Sequence, residues 1–390
     1  MRSPSSKYEK RGVSATKDEV HEAIKGLDKG LYPSAFCKIM PDVVGGDDNY
    51  CNIMHADTAG TKTSLAYLYW KQTGKDTIWS NIVQDAIVMN LDDMACVGCT
   101  SDIVLSSTIG RNKNLIPGSV IKSLIQGTAA FVDKLAEYGV MVHLAGGETA
   151  DVGDIVRTLD VGFTTFARMK RSELIINNIQ AGDVIVGLGS SGQSVYEDSY
   201  NSGIGSNGLT AARHDVLSKY YVQHFPDSYD HHTPEDVLFT GPHLLTDPVP
   251  GMEDVDIGTL LLSPTRTYLP VLTQIYAAHR QDLHGVIHCT GGGQTKVSKF
   301  IENKHVIKDN LMDVPMVFRL IQSASGTDWK EMYQVFNMGH RIELYTSAGA
   351  VDDLIQFART FDIEAQVIGH VEESSSNRVT IRSEFGTFEY

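Results

Sequence analysis

The chain has 390 residues, 42% hydrophobic and 21% charged, with 48 acidic against 33 basic side chains and a formal net charge of −15. That length favours two domains over one. The negative balance excludes a surface built for a nucleic-acid backbone, yet permits a small anion held locally by glycine amides and a metal. The polar stretch Met1 to Asp18 holds no apolar run of the signal-peptide kind, and no stretch approaches the length of a membrane span, so the expected setting is cytoplasmic.

A helical patch is expected over Lys17 to Leu27, followed by a loop rich in Gly, Pro and Asp. Tyr50 to Ala56 reads as a strand. From Ile78 to Val97 the apolar residues Ile82, Val83, Ala86, Ile87, Met89, Met94 and Val97 recur at helical spacing, which predicts a buried helix. A strand at Ile103 to Ile109, a helix at Ser119 to Tyr138, and strands at Val140 to Ala145 and Leu159 to Ala167 follow. The basic cluster Arg168 to Arg171 marks a domain joint, which divides the chain into 1–168 and 169–390. Beyond it, strands at Asp183 to Leu188, Val286 to Cys289, Arg341 to Tyr345 and Ala365 to Val371 alternate with helices. The helices are expected at Gly208 to Tyr220, Thr267 to Ala278, Thr295 to Asn303, Val314 to Ser323 and Ala350 to Thr360. The fold class is α+β, with mixed sheets in both halves. About 193–257 is an insertion, and its part from Tyr221 to Ile257 reads as an extended surface loop. The five cysteines make no disulfide framework. Cys96-Val-Gly-Cys99 has redox or zinc spacing, but it has no second pair and closes a helix, so the thiols read as reduced and structural.

Seven short runs carry the chemistry. Asp57-Thr-Ala-Gly-Thr-Lys62 ends a strand with a carboxylate suited to Mg²⁺, amides at Gly60 and Thr61, and an ammonium at Lys62 that suits phosphate; it is also the composition of an ordinary turn. Asp85, Asp92 and Asp93 share roughly one helix face, which suits a cation or a solvated acidic surface. In Gly146-Gly-Glu-Thr-Ala150 a hydrophobic strand delivers Glu148 at a sheet edge. Gly187-Leu-Gly-Ser-Ser-Gly192 has a dinucleotide-like spacing, but Gln193 to Asn207 reads as loop where that fingerprint needs a helix. Ser263-Pro-Thr-Arg266 supplies a guanidinium that can fork onto a ribose phosphate. Thr290-Gly-Gly-Gly293 lies between a strand and a helix, a place for an anion. Met332-Tyr-Gln-Val-Phe-Asn-Met-Gly339 reads as an architectural turn.

In their order and spacing these runs resemble the aminoimidazole ribonucleotide synthetase (phosphoribosylformylglycinamidine cyclo-ligase) family, from about Asn52 to about Ile381. The family's Asp-Gly-Val-Gly-Thr-Lys matches at Asp57, Gly60, Thr61 and Lys62, its Asn-Asp at Asp93, and its Gly-Gly-Glu-Thr-Ala throughout. Its Ala-Pro-Thr-Arg matches at Arg266. The family's His before Ser-Asn-Gly is Gly205 here, and its N-terminal glycine-rich loop has no good counterpart among Gly30 to Asp42. The resemblance implies a homodimer in which N-terminal strands of two chains form a barrel, with ATP as co-substrate and a phosphoribosyl small molecule as substrate. ATP would be bound by Asp57, Gly60, Thr61, Lys62, Asp93 and Glu148, and Mg²⁺ by Asp57, Asp93 and Glu148. Catalysis would fall to Asp57, Lys62 and Asp93. The substrate would be bound by Gly189, Ser190, Ser191, Gly192, Ser206, Asn207, Arg266, Thr290, Gly291, Gly292 and Gly293. Neither nucleic acid nor membrane is an implied partner. Related synthetases of selenophosphate, and a hydrogenase-maturation dehydratase, are disfavoured because Cys37-Lys38 lacks their glycine context and Gly386 to Tyr390 has no Cys. Thiamine-monophosphate kinase shares the ATP half. A non-catalytic nucleotide-binding homologue is the reading from a different class.

Overall fold

A computed structural model describes residues 7–12 and 22–390. The expected helical patch from Lys17 lies partly outside the described residues; from Glu22 to Leu27 the chain is a short helical turn. The first half is a five-stranded sheet of β1 (Ile39–Pro41), β2 (Tyr50–Thr58), β3 (Ile103–Arg111), β4 (Val142–Asp151) and β5 (Leu159–Lys170). Their spatial order is β1-β2-β5-β3-β4. Alternation along β2 sends Cys51 and Ile53 into the core and leaves Met54 exposed. The helix Ile78–Ala95 packs on the inner face and buries Ile82, Val83, Ala86, Ile87 and Met94, as its spacing predicts. The helix Gly118–Glu137 packs against it.

In the second half, β6 (Val184–Gly189) is followed by two small pairs, β7 (Ser191–Gly192) with β8 (Asn201–Ser202) and β9 (Pro248–Val249) with β10 (Met252–Asp256). The main sheet is completed by β11 (Leu283–His288), β12 (Lys304–Lys308), β13 (His340–Thr346), β14 (Ala365–Glu373), β15 (Arg378–Ser383) and β16 (Gly386–Glu389). Its order is β11-β13-β6-β14-β12-β15-β16. Among the described residues no helix is long and apolar enough to cross a membrane.

Several expectations need correction. β5 runs on into the basic cluster as far as Lys170, and Arg168 grips Asp42 with three hydrogen bonds, so the expected joint is an ordered part of the first sheet. The stretch from Tyr221 to Ile257 is not an extended surface loop, because Tyr221, Phe239, Leu245 and Ile257 are fully buried. It docks on the helix Lys62–Thr73 through Tyr221 to Gln72 and Tyr69 to Asp256. The expected helix after the triple glycine is a 3-10 turn, Gly293–Lys299. The strand expected to stop at Ala145 continues to Asp151, so Glu148 lies within β4 and not at its end. All five cysteines are free and buried.

Candidate active site

The first-half motifs meet the second half along one seam. Lys62 stands in the first turn of the helix that follows β2 and points inward. Its ammonium is fully buried, 2.7 Å from Asp85 Oδ1 and 2.5 Å from the carbonyl of Ser263. Asp85 Oδ1 also accepts from the backbone amide and hydroxyl of Thr265. Asp92, one heptad further along the helix, accepts from the Thr267 hydroxyl at 2.7 Å and the Tyr268 amide. Burial is the main cause that pushes the Asp92 pKa up to about 7; the Thr267 hydrogen bond, Arg341 and the Tyr268 amide oppose it.

Asp93 faces elsewhere. His288 Nδ1 lies 2.7 Å from Oδ1 and His55 Nε2 lies 3.2 Å from Oδ2, so both carboxylate oxygens have an imidazole partner. Burial opposes its ionisation, but these two imidazoles more than offset it and hold the carboxyl well below the usual range. His288 is fully buried and its Nε2 has no hydrogen-bond partner. Sequence reasoning missed both histidines. His55 sits two residues before Asp57 on β2, and His288 two residues before Thr290, so their positions beside the motifs were the available signal.

The three expected metal ligands do not converge within one chain. Asp57 pairs with core-facing Phe163, whereas Glu148 pairs with Thr108, itself opposite Gly162 and Thr58. Side chains alternate faces along a strand, so the two carboxylates lie on opposite faces of the sheet. They are also three strands apart, about 14 Å at ordinary strand spacing. With Asp93 taken by two imidazoles, one cation cannot be shared by all three in a single chain. Asp57 is half-buried at the end of its strand, beside Gly60 and Thr61. That suits a cation bound chiefly by phosphates, which needs only one or two carboxylates.

Arg266 is likewise not placed to bind a ligand. It is fully buried; its guanidinium forks onto Glu197 at 3.0 and 2.5 Å and donates to the carbonyls of Gly189 and Ser191. Asn337 is the architectural residue of its motif. It accepts from the buried Ser190 hydroxyl and donates to the Gly203 carbonyl. The Ser206 hydroxyl is buried without a hydrogen-bond partner among the described residues, and Ser191, Gly192 and Asn207 are half-buried. Thr61 and Thr210, two residues past Gly208, share a 2.5 Å hydrogen bond that closes the seam on this side. At Gly205 an added Cβ would lie 3.4 Å from the Arg341 guanidinium. The Thr290 to Gly293 loop carries three consecutive glycines with φ of +51°, +134° and +50°, a run that side-chain-bearing residues rarely adopt.

Two α+β domains meet in a polar seam, with a Gly-Thr turn on one side and a glycine loop on the other. Both halves match family models: AIR synthase related protein, N-terminal domain, over residues 39–169, and its C-terminal domain over residues 180–382. The chain belongs to the AIR synthase related family. Among similar proteins is the phosphoribosylformylglycinamidine cyclo-ligase of Methanococcus vannielii, 28% identical over 370 residues, 93% of this chain and 87% of the relative. That of Methanocaldococcus jannaschii is 26% identical over 330 residues, 84% of this chain and 79% of the relative. Among solved structures, T. maritima PurL complexed with FGAR aligns with a TM-score of 0.54 at 13% identity, over 96% of this chain and 49% of that one. The chain thus spans about half the length of that neighbour. The protein tt0281 from Thermus thermophilus aligns with a TM-score of 0.51 at 13% identity, over 94% of this chain and 96% of that one. At such identities the likeness is one of fold.

Proposed function

We propose that the chain is an ATP-dependent cyclo-ligase that converts formylglycinamidine ribonucleotide to aminoimidazole ribonucleotide, in de novo purine synthesis. The observation that supports this reading is that two of the family's first-half runs reach the second half at one seam, Thr61 to Thr210 and Asp93 to His288. An amide oxygen leaves poorly, so ATP first phosphorylates it to an iminophosphate; the substrate's own nitrogen then closes the five-membered ring and phosphate departs. Because closure is intramolecular, orientation is the main task of the protein. Nucleotide phosphates lie at the Asp57 to Thr61 turn. Mg²⁺ held there by Asp57 and those phosphates would neutralise the transferring charge. Lys62 and Arg266 act indirectly, by fixing the seam. The substrate lies against Ser191, Gly192, Ser206, Asn207 and the Thr290 to Gly293 loop.

The reading includes a homodimer. On the outer face of the first sheet, Met54, Phe166, Val104 and His143 are consecutive cross-strand neighbours. Met54 is 56% and Val104 38% exposed, an uncovered apolar row that a second copy would bury. Glu148 is on this face too, so it would look toward the other protomer. The test is ADP release from Mg-ATP with formylglycinamidine ribonucleotide, compared with thiamine monophosphate. Turnover only with the former supports the cyclo-ligase. A second reading, a nucleotide-binding homologue without turnover, is favoured by Gly205 in place of the family's His and by the sequestration of Lys62. It predicts Mg-ATP binding with no ADP release for either compound.

A further inference from the structure

With Arg266 bound to Glu197 and Lys62 to Asp85, the second-domain loop needs another cation if it is to meet an anion. Lys308 is close by, but it is buried and salt-bridged to Glu343. Lys296 differs. It is half-buried, and among the described residues its ammonium makes no ion pair. Its neighbour is the ring of Phe36, with Nζ 5.3 Å from the centroid. A Cβ placed on Gly291 would lie 3.9 Å from that Nζ, so the charge hangs directly over the loop.

The loop's glycines serve two purposes. At Gly293 a Cβ would strike the carbonyls of Tyr333 and Phe336 at 2.5 and 2.6 Å, so this glycine is required by packing. An added Cβ would meet Lys296 Nζ at 3.9 Å at Gly291, and at Gly292 its nearest contacts would be Lys296 atoms at 3.6–3.8 Å, ordinary van der Waals distances. Gly291 is exposed and Gly292 half-buried, and their amides donate to no acceptor among the described residues. Successive backbone amides in a turn conformation can form an anion-binding concavity. Two residues before the loop, the buried Nε2 of His288 also lacks a hydrogen-bond partner among the described residues. Phe36 stacks on Phe300 with centroids 5.0 Å apart, and the neighbouring Cys37 thiol donates to the Asp93 carbonyl at 3.1 Å. The segment around Phe36 therefore reaches from the first domain to the edge of this concavity.

We infer that Lys296, with the amides of Gly291 and Gly292, is the anchor for a phosphate monoester, and that Phe36 covers the anchor from the first domain. The assignment of that monoester to the substrate's ribose phosphate rests on the function proposed above; the same chemistry is found on a nucleotide. Three probes separate them: ribose 5-phosphate, inorganic phosphate and Mg-ATP, each titrated calorimetrically into wild type, Lys296→Gln and Lys296→Arg.

The expected result is a loss of ribose 5-phosphate affinity of roughly tenfold or more in K296Q, since a charge-assisted hydrogen bond is worth more than a decade. K296R should retain most of the affinity, and Mg-ATP binding should stay within about twofold in both. In turnover, K296Q should raise the KM for formylglycinamidine ribonucleotide and not that for ATP. Ribose 5-phosphate binding by K296Q equal to wild type overturns the inference, as does a loss confined to Mg-ATP or a wild type that binds neither ribose 5-phosphate nor inorganic phosphate. If the ribonucleotide is not turned over while ribose 5-phosphate binding still depends on Lys296, the anchor stands and the cyclo-ligase reading falls.

Discussion

Replacing Arg266 by alanine strands the Glu197 carboxylate, whose side chain is 7% exposed, in the protein interior. Removing one partner of a buried pair costs about 3–5 kcal/mol. R266A is therefore expected to lower unfolding free energy by that order, read by denaturant melts, while ligand affinities of any folded fraction change little. An unchanged melt with a raised substrate KM would restore a direct binding role. Asp92 supplies a pH signature. Its carboxyl is shifted up to about 7, against an ordinary value near 3.8, so the folded state holds this proton more tightly than the unfolded chain. Unfolding releases the proton between about pH 4 and 7, and stability from this group falls as pH rises across that window, then levels off. Asp92→Asn should remove the slope, because its carbonyl can still accept from Thr267 and Tyr268. Three pKa units set an upper bound of about 4 kcal/mol on the gain of D92N over wild type between pH 4.5 and 7.5. Parallel denaturant curves for the two proteins at both pH values would refute it. At this scale residue types were legible in the sequence but their directions were not. Lys62 and Arg266 match the motifs, yet both turn inward, because Asp85 and Glu197, remote in sequence, sit where they can be paired.

At the scale of elements, long periodic segments were readable and short ones were not. The helix Ile78–Ala95 and β2, β3 and β5 follow from their own patterns. The helices Lys62–Thr73 and Trp329–Val335 and the strand β12 escaped, since motif residues or few apolar positions mask their period. β4 is the most informative case. Its partner pairing jumps from Leu105 with Leu144 to Ser107 with Gly147, a bulge carried by Gly146 at φ +83°. That extra residue reverses the alternation and turns Glu148 to the outer face. A Cβ on Gly147 would sit 2.3 Å from the Ser107 carbonyl oxygen, so this motif glycine is explained by the close approach of two strands. Gly147→Ala should force β3 and β4 apart and destabilise the sheet by about 1–3 kcal/mol, measurable in thermal melts. The exposed row across β2, β5 and β3 makes a separate prediction. Val104→Lys places a charge where the proposed dimer would bury apolar surface, and sedimentation should show a folded monomer in place of a dimer. A wild type that sediments as a monomer would end the dimer reading.

For the molecule as a whole, the decisive feature is how the two domains are joined. The segment Ser263 to Tyr268 of the second half is stitched to two helices of the first, by Lys62 on one and by Asp85 and Asp92 on the other. Its other side is tied to Glu197 through Arg266. Because these contacts are buried hydrogen bonds to ionisable groups, opening the seam would break several of them together and cost far more than thermal energy. Ligands must then enter without wide separation of the domains, and the segment around Phe36 is the part that spans the seam with fewer ties. The same stitching should make the two domains unfold together. Calorimetry of the wild type is expected to give a single transition whose calorimetric and van't Hoff enthalpies agree. Asp85→Ala leaves the Lys62 ammonium buried without its carboxylate and cuts two hydrogen bonds from Thr265. It should lower the stability of the seam by about 3–5 kcal/mol and split the single transition into two. The first domain, which loses the partner of its own lysine as well as its tie to the second, should melt at the lower temperature. A D85A protein that still melts in one transition, merely shifted downward, would show that the domains are held together by the apolar packing beside the seam and not by its buried charges.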